Sequence, residues 1–196
     1  METDVLNRGK SPGISREVIF RLRGLLPVPA ILVMFAWAEP TVRSFLYGGL
    51  LVLAGEAIRL WAAGYIKKYR VSEVQADELV TAGPYAYVRN PLYWGNFLIG
   101  LGFAVIADWW PAYVLFLAVY LYIYSSVIPL EEAYLRETFG QSYDEYARSV
   151  PRFIPRLRPH PGPEGVYSAR VAFTGEMVTI VVLGVVATLF ALKMLF

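Results

Sequence analysis

The sequence contains no cysteine and a single histidine. The first absence excludes disulfides, thiolate nucleophiles and cysteine-ligated metals. The second excludes a metal site built on several histidines. His160 sits in the loop RPHPGPEG, where a lone imidazole reads as a solvated side chain. Charge is also scarce, at 17% of residues against 57% hydrophobic and 15% aromatic. That balance excludes an ordinary soluble domain of 196 residues and points to an all-α integral membrane protein. No small-residue cleavage site follows a short apolar core in METDVLNRGKSPGISREVIFRLR, so a removed signal peptide is not expected.

Apolar runs of the length a bilayer requires, about 20 residues per helix, are expected at about Leu22 to Ala38, Val42 to Ile66, Leu92 to Ala107, Pro111 to Leu130 and Val171 to Leu195. The first and third are short. Pro27 and Pro29 fall in the opening turns of the first, where a missing N–H is tolerated. Fifteen of the eighteen basic residues lie on one side of these runs: Arg8, Lys10, Arg16, Arg21, Arg23, Lys67, Lys68, Arg70, Arg89, Arg136, Arg148, Arg152, Arg156, Arg158 and Arg170. The positive-inside bias therefore predicts a cytoplasmic N-terminus and an external C-terminus. Trp109, Trp110 and Tyr113 would anchor the outer interface, and Trp61, Tyr65 and Tyr69 the inner one.

Within the second run, Glu56 and Arg59 share a helix face and can pair, as ionisable groups at membrane depth must. Gly100 and Gly102 of the third run permit close helix packing, whereas Gly95 adjoins a polar cluster and can also admit a ligand. That cluster, LVTAGPYAYVRNPLYWG (residues 79–95), opens with a turn signal. Its Asn90-Pro91 step starts a helix whose positive dipole end favours an anionic ligand group. Arg89 adds a permanent forked donor, and Tyr85, Tyr87 and Tyr93 add flat faces with hydroxyl tips. An interfacial Tyr/Arg belt around a proline-started helix would look similar. The second cluster, EEAYLRETFGQSYDEYARSVPRFIP (residues 131–155), tips the balance. If runs three and four form an antiparallel hairpin, Glu131 and Glu132 return to the same face. Glu131 can then hold a sulfonium or ammonium while Arg89 and the helix start hold that ligand's carboxylate. The residues after Glu132 read as an amphipathic helix broken near Gly140, with Leu135, Phe139, Tyr143 and Tyr146 turned to apolar surface over the site.

The pattern GPYAYVRNPLYWG, then EEAYLRETFGQSYDEY, then VPRFIP resembles the membrane-embedded isoprenylcysteine carboxyl methyltransferase and phospholipid methyltransferase superfamily, over roughly Asp77 to Pro155. The resemblance implies S-adenosyl-L-methionine as cofactor, bound at the cytoplasmic face without a Rossmann glycine loop. Carried over position by position, its contacts are Asp77, Glu78, Leu79 and Val80 in a strand-like lead-in and Tyr85 of the turn. Asn90, Pro91, Leu92 and Tyr93 follow at the helix start, then Glu131 with Glu132 beside it. Arg89, Asn90 and Glu131 stand nearest the chemistry. Methyl transfer from a sulfonium depends mostly on positioning, so the lack of a catalytic Cys, His or metal is no obstacle.

Two positions depart from the family pattern. Asn90 replaces its usual histidine and cannot ionise, and Val127 replaces the arginine associated with substrate in the prenylcysteine enzymes. The expected protein is thus a single domain over residues 1–196, with five transmembrane helices, a cytoplasmic-face cofactor pocket within residues 77–155 and a last span at 171–195. It methylates a lipophilic acceptor, whether a prenylcysteine-like carboxylate, a lipid headgroup or a small isoprenoid, with no nucleic-acid partner. Two alternatives stay open: a nicotinamide-dependent reductase on the same architecture, and a non-catalytic membrane binding protein.

Overall fold

A computed structural model describes residue 18 and residues 22–66, 78–162 and 165–195. Among the described residues, six α-helices and one short 3-10 turn can be delimited, with no strand. The helices are α1 (Val28–Trp37), α2 (Val42–Ala63), α3 (Pro91–Ala107), α4 (Pro111–Phe139), α5 (Gln141–Ser149) and α6 (Ala169–Lys193); the 3-10 turn is Gly83–Ala86. Three helices, α2, α4 and α6, are long and apolar enough to cross a membrane. The other two apolar helices, α1 and α3, are shorter. At about 1.5 Å per residue α1 is only about 15 Å long. The opening of the expected run, Arg23 to Pro27, forms turns instead, because Pro27 occupies the N-cap and Pro29 the first turn.

Glycine decides where the tightest packing falls. Gly48 and Gly55 on α2 oppose Gly102 and Gly95 on α3, each pair seven residues apart, and the two helices run antiparallel along this seam. A Cβ added at Gly55 would lie 2.6 Å from the Gly95 carbonyl oxygen, and one at Gly102 2.6 Å from that of Gly48. All three α3 glycines that the sequence singles out pack against protein: Gly95 and Gly102 on α2, Gly100 on Phe116. The seam is capped by a reciprocal Thr41–Ser44 box, and the Ser44 hydroxyl also donates to the Ile106 carbonyl at 3.3 Å.

Outward faces of α2 and α6 expose Leu46, Leu50, Leu53, Val181, Val185 and Leu189, the surface lipid tails would cover. Aromatic rings gather at both ends of the bundle. Trp37 stacks on Trp109 at 6.0 Å, and at the opposite end Trp61 meets Tyr87 and Tyr65 meets Tyr167. Tyr69, Arg8, Lys10, Arg16, Arg21, Lys67, Lys68 and Arg70, which entered the orientation argument, lie outside the described residues.

The fourth run does not end at Leu130. α4 continues unbroken through Pro129, Glu131 and Glu132 to Phe139, about 43 Å in all, longer than the roughly 30 Å apolar core of a bilayer. The break comes at Gly140, whose φ of 52° suits a residue without a Cβ. α5 then folds back, and its Tyr143 and Tyr146 pack with Val150 against Leu79, Leu135 and Phe139. At the other end of the bundle, Lys193 of α6 donates to the Phe35 and Ala36 carbonyls at 2.6 and 2.8 Å, satisfying the last turn of α1.

Candidate cofactor and acceptor cavity

The two polar clusters meet. After α5 the chain runs back along the 3-10 turn: Arg89 N–H donates to Pro151 O at 2.9 Å, Arg156 N–H to Tyr87 O at 3.0 Å and His160 N–H to Ala86 O at 2.8 Å. Side chains add to the lacing. Tyr146 OH donates to Tyr85 O at 2.9 Å, Asn90 Nδ2 to Arg152 O at 3.3 Å, and the Trp94 indole to Phe153 O. Gly83, with φ of 59°, lets the turn start in the left-handed region. Burial keeps the Tyr146 phenol above the usual tyrosine range. Burial and the Glu132 carboxylate do the same for Tyr143, so both hydroxyls stay protonated at neutral pH.

These elements wall one end of a cavity of about 960 Å³. Glu78, Leu79, Val80, Tyr85, Arg89, Asn90, Pro91, Leu92, Tyr93, Glu131 and Glu132 all line it. Asp77 lies outside the described residues. The lead-in at Glu78 to Val80 is irregular rather than a strand, since no second strand is present among the described residues to pair with it. Asn90 occupies the N-cap of α3 without a side-chain capping bond, its amide donating to Arg152 O instead, and Pro91 takes the first helical position.

Adjacent glutamates differ sharply in role. Glu132 is held by two arginines: Arg152 by a forked pair whose Nε–Oε1 distance is 3.0 Å, and Arg89 at 3.3 Å. The bond to Glu132 raises the Arg152 pKa further above its ordinary value. Arg89 is thus partly committed inside the protein rather than wholly available to a ligand, although its buried Nε has no partner among the described residues. Glu131, about 100° further round the helix, faces Tyr93, with Arg23 and Glu132 close enough to act on its charge. Val127 is fully buried beside Tyr93, Ile123 and Ile128.

Away from this polar end the cavity continues between α1, α3, α4 and α6, past Met34, Phe103, Phe116, Leu183 and Val186. Part-way along lies a group that the sequence reading only half contained. Arg59 pairs with Glu56 at 3.5 Å as expected, and also with Glu176 of α6, which is fully buried. Asn96 and Thr179 accept further hydrogen bonds from the same guanidinium. A lone carboxylate in an otherwise apolar run was the signal for Glu176.

The family model for phospholipid methyltransferases matches residues 44–142, from the first turn of α2 into α5. The chain belongs to the phospholipid methyltransferase family. It is 44% identical over 101 residues to the nickel-cobalt-cadmium resistance protein NccN of Alcaligenes xylosoxydans xylosoxydans, covering 50% of this chain and 44% of that protein. It is 44% identical over 79 residues to the protein-S-isoprenylcysteine O-methyltransferase of Schizosaccharomyces pombe, covering 40% and 34%. With the cobalt-zinc-cadmium resistance protein CzcN of Cupriavidus metallidurans it shares 32% identity over 136 residues, 69% of this chain and 59% of that one. The matches therefore span between about a third and three-fifths of these relatives' lengths. No solved structure matches. The family match contains the glycine seam, the 3-10 turn, Glu131 and Glu132; Arg152, Glu176 and the α1 and α6 walls of the cavity lie outside it.

Proposed function

We propose that the chain is an integral membrane methyltransferase dependent on S-adenosyl-L-methionine. It forms a single domain with five membrane-embedded helices, its cofactor end at residues 77–155 facing the cytoplasm, as the basic-residue bias supports. The acceptor is a lipophilic molecule. The observation that carries this reading is the division of labour at the end of α4. Glu132 is engaged by two arginines, while Glu131 faces the cavity beside the start of α3.

The residues fit the cofactor by the chemistry of the donor set. Glu131 suits a sulfonium or ammonium. The N-terminal end of α3 and the Nε of Arg89, without a partner among the described residues, suit a carboxylate. When bound, the cofactor supplies an electrophilic methyl group. The protein's part is to hold the acceptor atom in line with that group and to exclude water. Tyr143 and Tyr146 of α5, packed over the polar end, cover it from the solvent side. The apolar length of the cavity supports an acceptor that is mostly hydrocarbon. Asn90 makes its hydrogen bond to the Arg152 carbonyl as an amide, so no step assigned to this residue needs a titrating imidazole.

Calorimetric titration of the detergent-solubilised protein with S-adenosylmethionine tests the reading. Wild type binds, and Glu131→Gln loses about 1–3 kcal/mol of affinity through one charge-assisted contact, more than Glu132→Gln loses. Equal affinity in wild type and Glu131→Gln would remove this residue from the site, and no binding to wild type would remove the cofactor.

A further inference from the structure

The cavity has a second polar station, deeper than Glu131, and nothing in cofactor binding requires it. On α4, Tyr120, Tyr124, Val127 and Glu131 follow at steps of four, three and four residues, the spacing of a single helix face. Tyr120, Tyr124 and Glu131 line the cavity along that face. Behind Tyr124 runs a chain of donors. Arg59 Nη1 donates to Asn96 Oδ1, and Asn96 Nδ2 donates to the Tyr124 oxygen at 2.7 Å. The Tyr124 hydroxyl proton has no acceptor among the described residues. Tyr120, by contrast, delivers its proton to the Tyr93 carbonyl at 3.0 Å. The rings of Tyr93 and Tyr120 each lie 4.5 Å from that of Tyr124 and fix its orientation.

We propose that Tyr124, polarised through Asn96 by Arg59, is the acceptor-positioning residue of this cavity and hydrogen-bonds an uncharged carbonyl-type oxygen on the lipophilic methyl acceptor. The proposal rests on the reading that the apolar limb houses that acceptor. A hydroxyl that accepts from an amide, itself accepting from a guanidinium, is a stronger donor than an isolated phenol, because each bond polarises the next. The oxygen it takes is neutral for a reason of charge. Arg59 is already flanked by Glu56 and Glu176, and Glu131 stands on the same face as Tyr124. Each cation near Tyr124 already faces a carboxylate, Arg59 both Glu56 and Glu176 and Arg23 the carboxylate of Glu131, so neither is left to balance an anion placed there at low dielectric. Val127, between Tyr124 and Glu131 on the same face, is packed into an apolar cluster and adds no cation. The acceptor is therefore a long apolar molecule with a carbonyl-type oxygen deeper in the membrane than its methylated atom. Glu131 and Tyr124 are two helical turns apart, about 10 Å along the axis.

The test uses two probes of matched chain length, methyl pentadecyl ketone with an isotope-labelled carbonyl and hexadecanoate, added to the full-length protein in nanodiscs. Expected in wild type is ketone binding with its carbonyl stretch displaced to lower frequency relative to an apolar solvent. Tyr124→Phe keeps the ring packing, returns the band to its apolar position and weakens ketone binding about tenfold. Asn96→Leu leaves the phenol in place and reduces the displacement without abolishing it. Hexadecanoate binds more weakly than the ketone in wild type. An unmoved carbonyl band in wild type, a band unchanged by Tyr124→Phe, tighter binding of hexadecanoate, or no ketone binding each overturns the proposal. S-adenosylmethionine titration of wild type separates the two readings. Cofactor binding without the Tyr124-dependent band defeats this inference alone, whereas the band without cofactor binding defeats the methyltransferase reading alone.

Discussion

Two ionic clusters adjoin one cavity, one at its polar end and one part-way along it, and they are opposites in charge. The deep one is a single cation, Arg59, between two carboxylates, Glu56 and Glu176; the shallow one is a single carboxylate, Glu132, between two cations, Arg89 and Arg152. They differ in solvation at one member. Side-chain exposure is 9% for Arg59, 11% for Glu56 and 0% for Glu176, and Glu132 and Arg89 are alike at 8% and 14%, whereas Arg152 is 45% exposed. Loss of one partner in the deep cluster strands a largely buried charge. In the shallow cluster, Arg152 can turn to water. The deep cluster ties α2 to α6 and, through Asn96, to α3, so it serves the bundle. The shallow one ties the segment before α3 to α4 and to the chain after α5, so it serves the cavity's polar rim.

The largest effect should therefore come from Arg59→Met, which leaves two buried carboxylates without their cation. It is expected to cost about 3–5 kcal/mol of stability in chemical or thermal unfolding of the solubilised protein. Adding Glu176→Gln to Arg59→Met should recover part of that loss. A single variant as stable as wild type would erase the distinction between the clusters. Glu132→Gln comes next. It weakens the anchors of both Arg89 and Arg152 and should cost about 1–3 kcal/mol. Arg152→Gln is the mildest, at about 0–1 kcal/mol, because that guanidinium is half in water. Raising ionic strength should shrink the Arg152 effect further and leave the Arg59 effect in place, since buried pairs are poorly screened. If salt acts on both alike, the deep cluster is reached by water and the contrast in solvation is wrong.

Much of this arrangement is legible in the residues. The five apolar runs correspond to five helices in the same order, the GPY turn and Pro91 start where they should, and Leu135, Phe139, Tyr143 and Tyr146 share one cluster around the Gly140 break. What could not be read depends on rotation or on distant partners. Glu131 and Glu132 are neighbours in sequence but point different ways around α4, and only the packed helix tells which one meets the arginines. Asn96, Tyr120 and Tyr124 look like interfacial or lipid-facing side chains until α2 supplies Arg59, far away in the chain. Glu176 was visible as an isolated charge, yet its partner lies 117 residues earlier. The length of α4 was missed for a simpler reason. Hydropathy marks where an apolar run stops, whereas the helix continues until Gly140 ends it.

The Lys193 contact gives α1 the mechanics of a cantilever. Its far end is fixed: Met34 and Ala38 are buried in the main core, Lys193 grips the Phe35 and Ala36 carbonyls, and Glu39 N–H donates to Ala107 O at 2.9 Å. Its near end is held by packing, Leu26 against the Tyr93–Ile123 cluster, and among the described residues no backbone hydrogen bond joins it to another helix; Leu25 is 66% and Val28 43% exposed. α6 cannot swing with it, because Glu176 and the bond from Ser168 N–H to Gly64 O fasten the other end of α6 to α2 and the chain just after it. Bending is thus confined to one short arm. A tilt of about ten degrees at the fixed end would carry Val28 by about 2–3 Å over an arm of ten residues. Val28 lines the cavity, so that displacement changes the bore beside the polar end while the α2–α3 seam stays still.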